Sequence, residues 1–375
     1  AQWAVTKMNP KPANLYIVMV DHGLDEFFFI HPDTITSVEL GDWIDQLQDG
    51  LNDDADDQEI ITILGFCRSG SFVDNLSGNY RVVITSADAG ESSYKGPLDT
   101  DGVREGEYFV SEYFKSVSFG KTVTQSFAEA VLLTETYTSA NAEGSANAPY
   151  FDNARQHPLL DDNGDGVGTN EITGQSADDG ALGETLVIGV SSVTGNDPGD
   201  VHVTAVTEAV FVPAAENTVG LLWAKASDDA RLRTIWVEIK PPDFTPGDAG
   251  GSEQVAMDLT RVFGSYNDSA NRYEWTNLGG FVNPGTYQIL YFAKDDITGN
   301  ISPLQSSTAY KQKAGNSAPN AFELLEPQND SSQLTELILD WEDASDPNGD
   351  ALTYTVMLSE GNAAFSQPIK IEGLT

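Results

Sequence analysis

Two continuous apolar runs, LYIVMV at 15–20 and IITILGF at 60–66, constrain this chain more than any other feature. Six or seven apolar residues without alternation suit strands buried on both faces, the signature of a parallel sheet with helices packed on either side. Each run stops abruptly at residues that carry chemistry. The first gives way to Asp21-His22-Gly23 and the second to Cys67-Arg68-Ser69-Gly70. Ligands and catalysis in open parallel sheets gather just past the C-terminal ends of the strands, where both clusters would lie. Further signals fill in an α/β layered body. FFFI at 27–30 reads as a short strand and YRVVITSA at 80–87 as another buried one. Leu40, Trp43, Ile44, Leu47 and Leu51 recur at helical spacing behind a capping box formed by Thr36 and Glu39, which predicts a helix over 36–51. Apolar spacing through Tyr108, Phe109, Tyr113, Phe114, Phe127, Val131 and Leu132 makes 105–138 helical.

Beyond residue 138 the chain changes character. The stretch 139–184 is rich in Asn, Asp, Gly and Ala and reads as an acidic linker. From 185 to 315, β-type runs at 185–190, 201–212, 219–224, 232–239 and 286–293 alternate with Asp, Pro and Gly clusters, as in an immunoglobulin-like β-sandwich. Residues 316–375 read as a partial second sandwich of cadherin or fibronectin type, with strands at 337–341 and 352–358 around a turn at 345–350. The expected architecture is therefore an α/β domain over 1–138, a linker, and all-β modules. Acidic residues number 58 against 19 basic ones, a formal charge of −39. Such a surface repels phosphate backbones and anionic headgroups, which argues against nucleic-acid partners. No run approaches the ~18 apolar residues of a membrane span, which argues against membrane insertion. The acidic excess also suits salty surroundings and attracts divalent cations, from which an extracellular, secreted or cell-surface setting is expected.

Cys67 is the single cysteine, so no intrachain disulfide can form. A thiol becomes a useful nucleophile when a base or cation stands beside it, and imidazole is the usual partner. His22 and Cys67 at the ends of neighbouring strands would supply that pair. The plainer readings are a buried small hydrophobe and a hydrogen-bonded turn histidine. By residue pattern alone the two accounts balance.

The segment 14–96 resembles the catalytic core of the legumain (asparaginyl endopeptidase) family, in the caspase–legumain clan. In that clan one apolar block runs into His-Gly and a second into Cys, with Ser-Gly close behind in legumains. Here these are LYIVMVDHG at 15–23 and IITILGFCRSG at 60–70. VVITSADAGESSY at 82–94 is similar to the family's strand and substrate-binding loop, and Gly106-Glu107-Tyr108 to its Gly-acid-aromatic step before the next helix. The resemblance implies a caspase-like fold and a cysteine endopeptidase that needs no catalytic cofactor. Cys67 would be the nucleophile, His22 the general base and acid, and the N–H groups of Gly23 and Cys67 the oxyanion hole. Ser92 and Ser93 would lie on the edge strand where a peptide substrate pairs, Glu107 would line the specificity pocket, and Asp21 matches the family's Asp before the histidine.

The family carries Glu two residues before its cysteine, where this chain has Gly65, so selection of Asn is not implied. Phe66 replaces a usual small residue. The family's domain also begins earlier than this chain, so the peptidase part is read as N-terminally incomplete. Outside the catalytic clusters, Asp161, Asn163 and Asp165 share the alternation of a calcium loop, with an acidic linker as the plain alternative; Glu171 is eleventh where the twelfth position carries the usual Glu. The turn at Asp346 has a similar alternation. His31, His157 and His202 read as surface residues. Two functions fit: a secreted cysteine peptidase, carried or attached by its β-sandwich modules, acting on protein or peptide; or a catalytically silent peptidase-like adhesin whose modules bind ligand.

Overall fold

The computed structural model describes residues 1–375 apart from 100–101, 105, 140–149, 151–152, 173–177, 189–200, 248–249, 298, 316, 328–338, 348–351, 359–368 and 375. A short helix, α1 (Gln2–Met8), precedes β1 (Leu15–Val20). A hairpin-like trio follows: β2 (Gly23–Leu24), β3 (Phe27–Ile30) and β4 (Asp33–Thr36). These pair antiparallel in a small sheet of their own, so FFFI never joins the main sheet. Then come α2 (Ser37–Gln48), β5 (Ile60–Gly65), α3 (Val73–Leu76) and β6 (Arg81–Thr85). Two longer helices, α4 (Tyr108–Ser118) and α5 (Val123–Thr138), lead to β7 (Leu159–Asp161).

The main sheet runs β1-β5-β6-β7, with the first three strands parallel and β7 antiparallel. Helices cover both faces, as the unbroken apolar strands require. One layer packs α1 and α2 onto Ile60, Leu64 and Val83; the other packs α4 and α5 onto Ile61, Ile63, Val82 and Ile84. The capping box at α2 is formed as expected, Thr36 accepting from Glu39 N–H while the Glu39 carboxylate accepts from Thr36 N–H. β5 and β6 are buried throughout, but β1 is not. Its Tyr16, Val18 and Val20 are 38%, 47% and 42% exposed, because β1 is an edge strand and its second face is largely open. An apolar run reports the material of a strand and cannot report whether a neighbour exists to cover it.

The stretch read as linker takes part in this layered body. β7 closes the sheet from within it, and Ile172, Leu182, Leu186 and Ile188 pack against the α4–α5 layer. The run at 185–190 forms a single bridge, Thr122 with Val187, and its last residues lie outside the described ones.

Among the described residues, nine strands build the next module. They are β8 (Val203–Val206), β9 (Val210–Val212), β10 (Thr218–Ala226), β11 (Leu232–Lys240), β12 (Thr260–Phe263), β13 (Ser265–Asn267), β14 (Arg272–Gly279), β15 (Gly285–Asp295) and β16 (Gln305–Lys311). The sheets β13-β14-β10-β8 and β12-β11-β15-β16-β9 face each other across a core that includes Leu222, Trp275, Ile235, Val237, Ile289 and Tyr291. The run at 201–212 thus divides between the two sheets, a switch that patterning does not foretell. Among the described residues, the last region holds two antiparallel pairs, β17 (Leu324–Glu326) with β18 (Asp340–Trp341) and β19 (Tyr354–Leu358) with β20 (Ile369–Leu374). The turn at Asp346 runs into residues outside the described ones.

Alternation along β11 and β15 gives the five-stranded sheet a second packed face. Trp236, Leu290 and Phe292 point away from the sandwich core and join Tyr94, Tyr108 and Tyr137 of the α/β body. The Tyr108 and Tyr137 rings stack at 4.1 Å, and Trp236 stacks on Phe292 at 5.4 Å. This shared cluster docks the module beside the C-terminal ends of the parallel strands.

Candidate active site

Parallel pairing in register, Val20 opposite Gly65, brings His22 and Cys67 to the same end of neighbouring strands, each two residues beyond the last pair. Backbone constraints then fix the cysteine turn. Arg68 sits in the left-handed region with φ 61°, reversing the chain after the thiol, and Arg68 N–H donates to Glu91 O at 2.7 Å. A 3₁₀ turn over Ser69–Phe72 follows and leads into α3. Gly70 has no room for a side chain, since a Cβ there would meet Ala89 N at 2.6 Å and Asp88 C at 2.8 Å. The Ser-Gly after the cysteine is therefore a packing requirement of this turn: Ser69 Oγ also accepts from Ala87 N–H.

The histidine turn is held from the other side. Phe29 N–H donates to His22 O at 3.0 Å, and Glu26 N–H donates to Ser71 Oγ at 2.9 Å, tying the hairpin to the cysteine turn. Gly23 comes against the same turn; a Cβ on it would lie 2.7 Å from Cys67 O and 2.3 Å from the Phe66 ring. Phe66 is wedged between Phe28 and Phe72, ring centroids 5.0 and 5.1 Å away, which accounts for a large residue before the thiol. Asp21 accepts from His22 N–H through Oδ1 at 2.9 Å, and that oxygen lies 3.9 Å from His22 Nε2.

The two turns adjoin, but no hydrogen bond joins the His22 and Cys67 side chains. Cys67 is fully buried, its Sγ 3.7 Å from Ser93 Oγ and 3.4 Å from the carbonyl oxygen of Glu253. The His22 side chain is half-exposed, and its Nδ1 is buried with no hydrogen-bond partner among the described residues. Ser92 and Ser93 are buried beside the thiol. A Cβ at Gly65 would meet Val110 Cγ2 at 2.6 Å, so α4 fills the space that a longer side chain would need. Glu107 is buried as the N-cap of α4: one oxygen accepts from Val110 N–H and the other from Gln156 Nε2, both at 2.7 Å. Burial pushes its carboxyl up to about 7, against these hydrogen bonds.

Residues 252–255 are the part of the site that sequence reasoning missed. They belong to the long connection between β11 and β12 and carry no local signal. Gly23 N–H donates to Ser252 O at 3.3 Å, and Gln254 Nε2 donates to Gly65 O at 3.3 Å. His157, expected on the surface, is partly buried and pairs with Glu91 at 2.6 Å, whose carbonyl accepts from Arg68 N–H of the cysteine turn. His31 and His202 are exposed.

At Asp161 the loop winds around its own carboxylate, which accepts from Gly164 and Gly166 N–H at 3.0 and 3.1 Å. Asn163 and Asp165 likewise accept from Asp165 and Val167 N–H at 2.8 Å. Asp179 is buried beside them, and its carboxyl is pushed up to about 7 by burial and then by Asp161 and Asp162. The donors are all hard oxygens, as a calcium ion would need. As positioned, no three acidic, histidine or cysteine side chains among the described residues converge on one point.

No curated protein matches the chain in sequence. Among solved structures, the crystal structure of CopC from Methylosinus trichosporium OB3b is 6% identical, with a TM-score of 0.20 over 32% of this chain and 99% of that one, a likeness too slight to carry an argument. The Peptidase C13 family, the legumain family of cysteine peptidases, matches residues 5–160, the α/β body on which His22 and Cys67 stand.

Proposed function

We propose that the chain is a secreted cysteine endopeptidase in which Cys67 attacks a peptide carbonyl and His22 carries the proton. The reaction would break the amide through a thioester on Cys67, with His22 first accepting the thiol proton and then delivering it to the leaving amine. Water, activated by the same imidazole, would release the acyl group. The N–H groups of Gly23 and Cys67 would stabilise the oxyanion, and the edge at Ser92 and Ser93 would align the substrate backbone. Specificity would be set beside Gly65, where Val110 fills the space that a longer side chain would need and Glu107 lies buried behind it.

One observation carries this reading. The site already holds a peptide backbone, with one carbonyl on Gly23 N–H at 3.3 Å, the next carbonyl 3.4 Å from Cys67 Sγ, and Val255 bridged to the edge at Tyr94. A merely buried cysteine would not be expected at the mouth of a peptide groove. The modules, immunoglobulin-like in this reading, would attach the peptidase to a surface or matrix. Calcium at the Asp161 loop is part of the proposal, and it would require Asp165 and Asp179 to turn inward together. The silent-adhesin alternative draws on the missing hydrogen bond between His22 and Cys67. Cleavage of a positional peptide library separates the two. The peptidase reading expects cleavage that disappears in Cys67→Ala; cleavage unchanged in that variant, or none by the parent after its groove is opened, would overturn it.

A further inference from the structure

The connection between β11 and β12 leaves the sandwich and lays residues 252–257 along the groove of the α/β body. Val255 pairs with the edge at Tyr94 in parallel sense: its N–H donates to Ser93 O at 2.8 Å, and its O accepts from Lys95 N–H at 2.9 Å. Gln254 reaches Gly65 O, Ser252 O sits on Gly23 N–H, and the Cys67 thiol donates to Glu253 O. The Gly23 N–H, the Cys67 thiol and the Ser93–Lys95 edge, assigned above to a peptide substrate, are therefore taken. The oxyanion donor Gly23, the nucleophile and the pairing edge all serve this chain's own strand.

The strand is anchored where it enters the groove and again beyond it. Val255 and Met257 are buried in the cluster that docks the module, with Tyr94, Tyr108, Tyr137, Trp236 and Phe292. Asp258 pairs with Arg104, whose Nη1 also donates to Gly96 O at 3.2 Å. Most hydrogen bonds inside the groove are made by backbone, and the Glu253 side chain is exposed, so the groove holds this segment mainly through its main chain. The arrangement is not set for reaction. The thiol is hydrogen-bonded to a carbonyl oxygen, and no hydrogen bond joins it to His22. Tethering holds the occupant at an effective concentration on the order of millimolar, which a weakly binding free peptide must exceed.

We propose that residues 252–257 are a built-in plug: the β-sandwich module keeps its own connecting strand in the peptide groove and holds the thiol latent until that strand is displaced. The proposal rests on Cys67 being the nucleophile. Because the strand shares its apolar anchors with the docking cluster, undocking of the module and opening of the groove would be one event.

Alkylation of Cys67 by iodoacetamide in the full-length protein tests this without requiring any peptidase activity. Val255→Pro removes the N–H that Ser93 accepts and cannot hold a place in a paired strand. Alkylation in this variant is expected to be at least about tenfold faster than in the parent, the scale of losing a buried hydrogen bond. The double variant Gln254→Gly/Ala256→Gly loosens the strand through backbone entropy and the loss of the Gln254 hydrogen bond to Gly65 O, and serves if the proline variant does not fold. Melting curves establish the fold in each case. Equal alkylation rates in parent and folded variants would overturn the plug. Faster alkylation without peptide cleavage would uphold the plug and reject the peptidase reading.

Discussion

Cys67 and His22 end neighbouring strands, yet the molecule treats them differently. The thiol is fully buried, on a turn fixed by a left-handed residue, by a glycine pressed against the 87–89 backbone, and by a plug strand above it. The imidazole is half-exposed on a hairpin, with Nδ1 unpartnered and its aspartate neighbour equally open. If Cys67 and His22 act as proposed, the contrast teaches that the nucleophile side of the site would be prebuilt and the base side left to adjust. Activation would then consist of clearing the strand and closing the histidine onto the thiol. No rebuilding of the cysteine turn is needed.

The largest effects should fall on the reacting pair itself. Cys67→Ala should abolish peptide cleavage, and His22→Ala should lower it by about a thousandfold, within the range of a lost general base. Both variants should melt close to the parent, since neither side chain holds the fold together. A His22→Ala enzyme of full activity would break the comparison. Next come the glycines that make the cysteine side rigid. Gly70→Ala forces a methyl into the 87–89 backbone and should cost about 1–3 kcal/mol in thermal unfolding. Gly90→Ala, with nothing within 4 Å of the added methyl, is the control and should melt like the parent.

The docking face allows a test through pH. Lys240 is 2% exposed, its Nζ has no hydrogen-bond partner among the described residues, and burial, aided by Arg155, lowers its pKa from 10.5 to about 7. Between about 7 and 10.5 the unfolded chain therefore holds a proton that the folded chain lacks, so this residue makes stability rise with pH across that window. Below it, both states are charged and the folded one bears the cost of burial. Lys240→Met removes that cost. Its stabilisation should be larger at pH 6 than at pH 9, by roughly 2 kcal/mol in denaturant melts. Glu107 and Asp179 act in the opposite sense, because their raised carboxyls favour the fold on the acid side of about 7. The smallest effect concerns the Asp161 loop. If calcium binds there, EDTA should lower the melting temperature by a few degrees, about 1.4 kcal/mol at a tenfold excess of ion over Kd. An unchanged melting temperature would leave the loop as a self-capped turn.

Much of the α/β body was legible because its signals are local. Unbroken apolar runs, the Thr36–Glu39 box and the residues after each strand are properties of short segments, and the structure keeps them nearly where they were expected. What was hidden depends on distant partners. The exposed face of β1 reflects a missing neighbour, and β7 is three residues inside an acidic, glycine-rich stretch. The plug strand lies 185 residues beyond the thiol it covers, in a run of Gly, Ser and Glu with no periodicity. Its role comes from backbone donors and acceptors, which every sequence possesses and no sequence advertises. Gly70 and Gly23, by contrast, were visible as glycines, but only the packing shows what each one must avoid.

The central claim, that Cys67 is a nucleophile worked by His22, is tested most directly by a peptidyl acyloxymethyl ketone. The parent and Val255→Pro proteins are treated with it, and the modified residue is located by mass spectrometry. The account predicts a single adduct on Cys67, formed faster in the proline variant and suppressed in His22→Ala. An adduct on another residue, or equal labelling with and without the histidine, would contradict it.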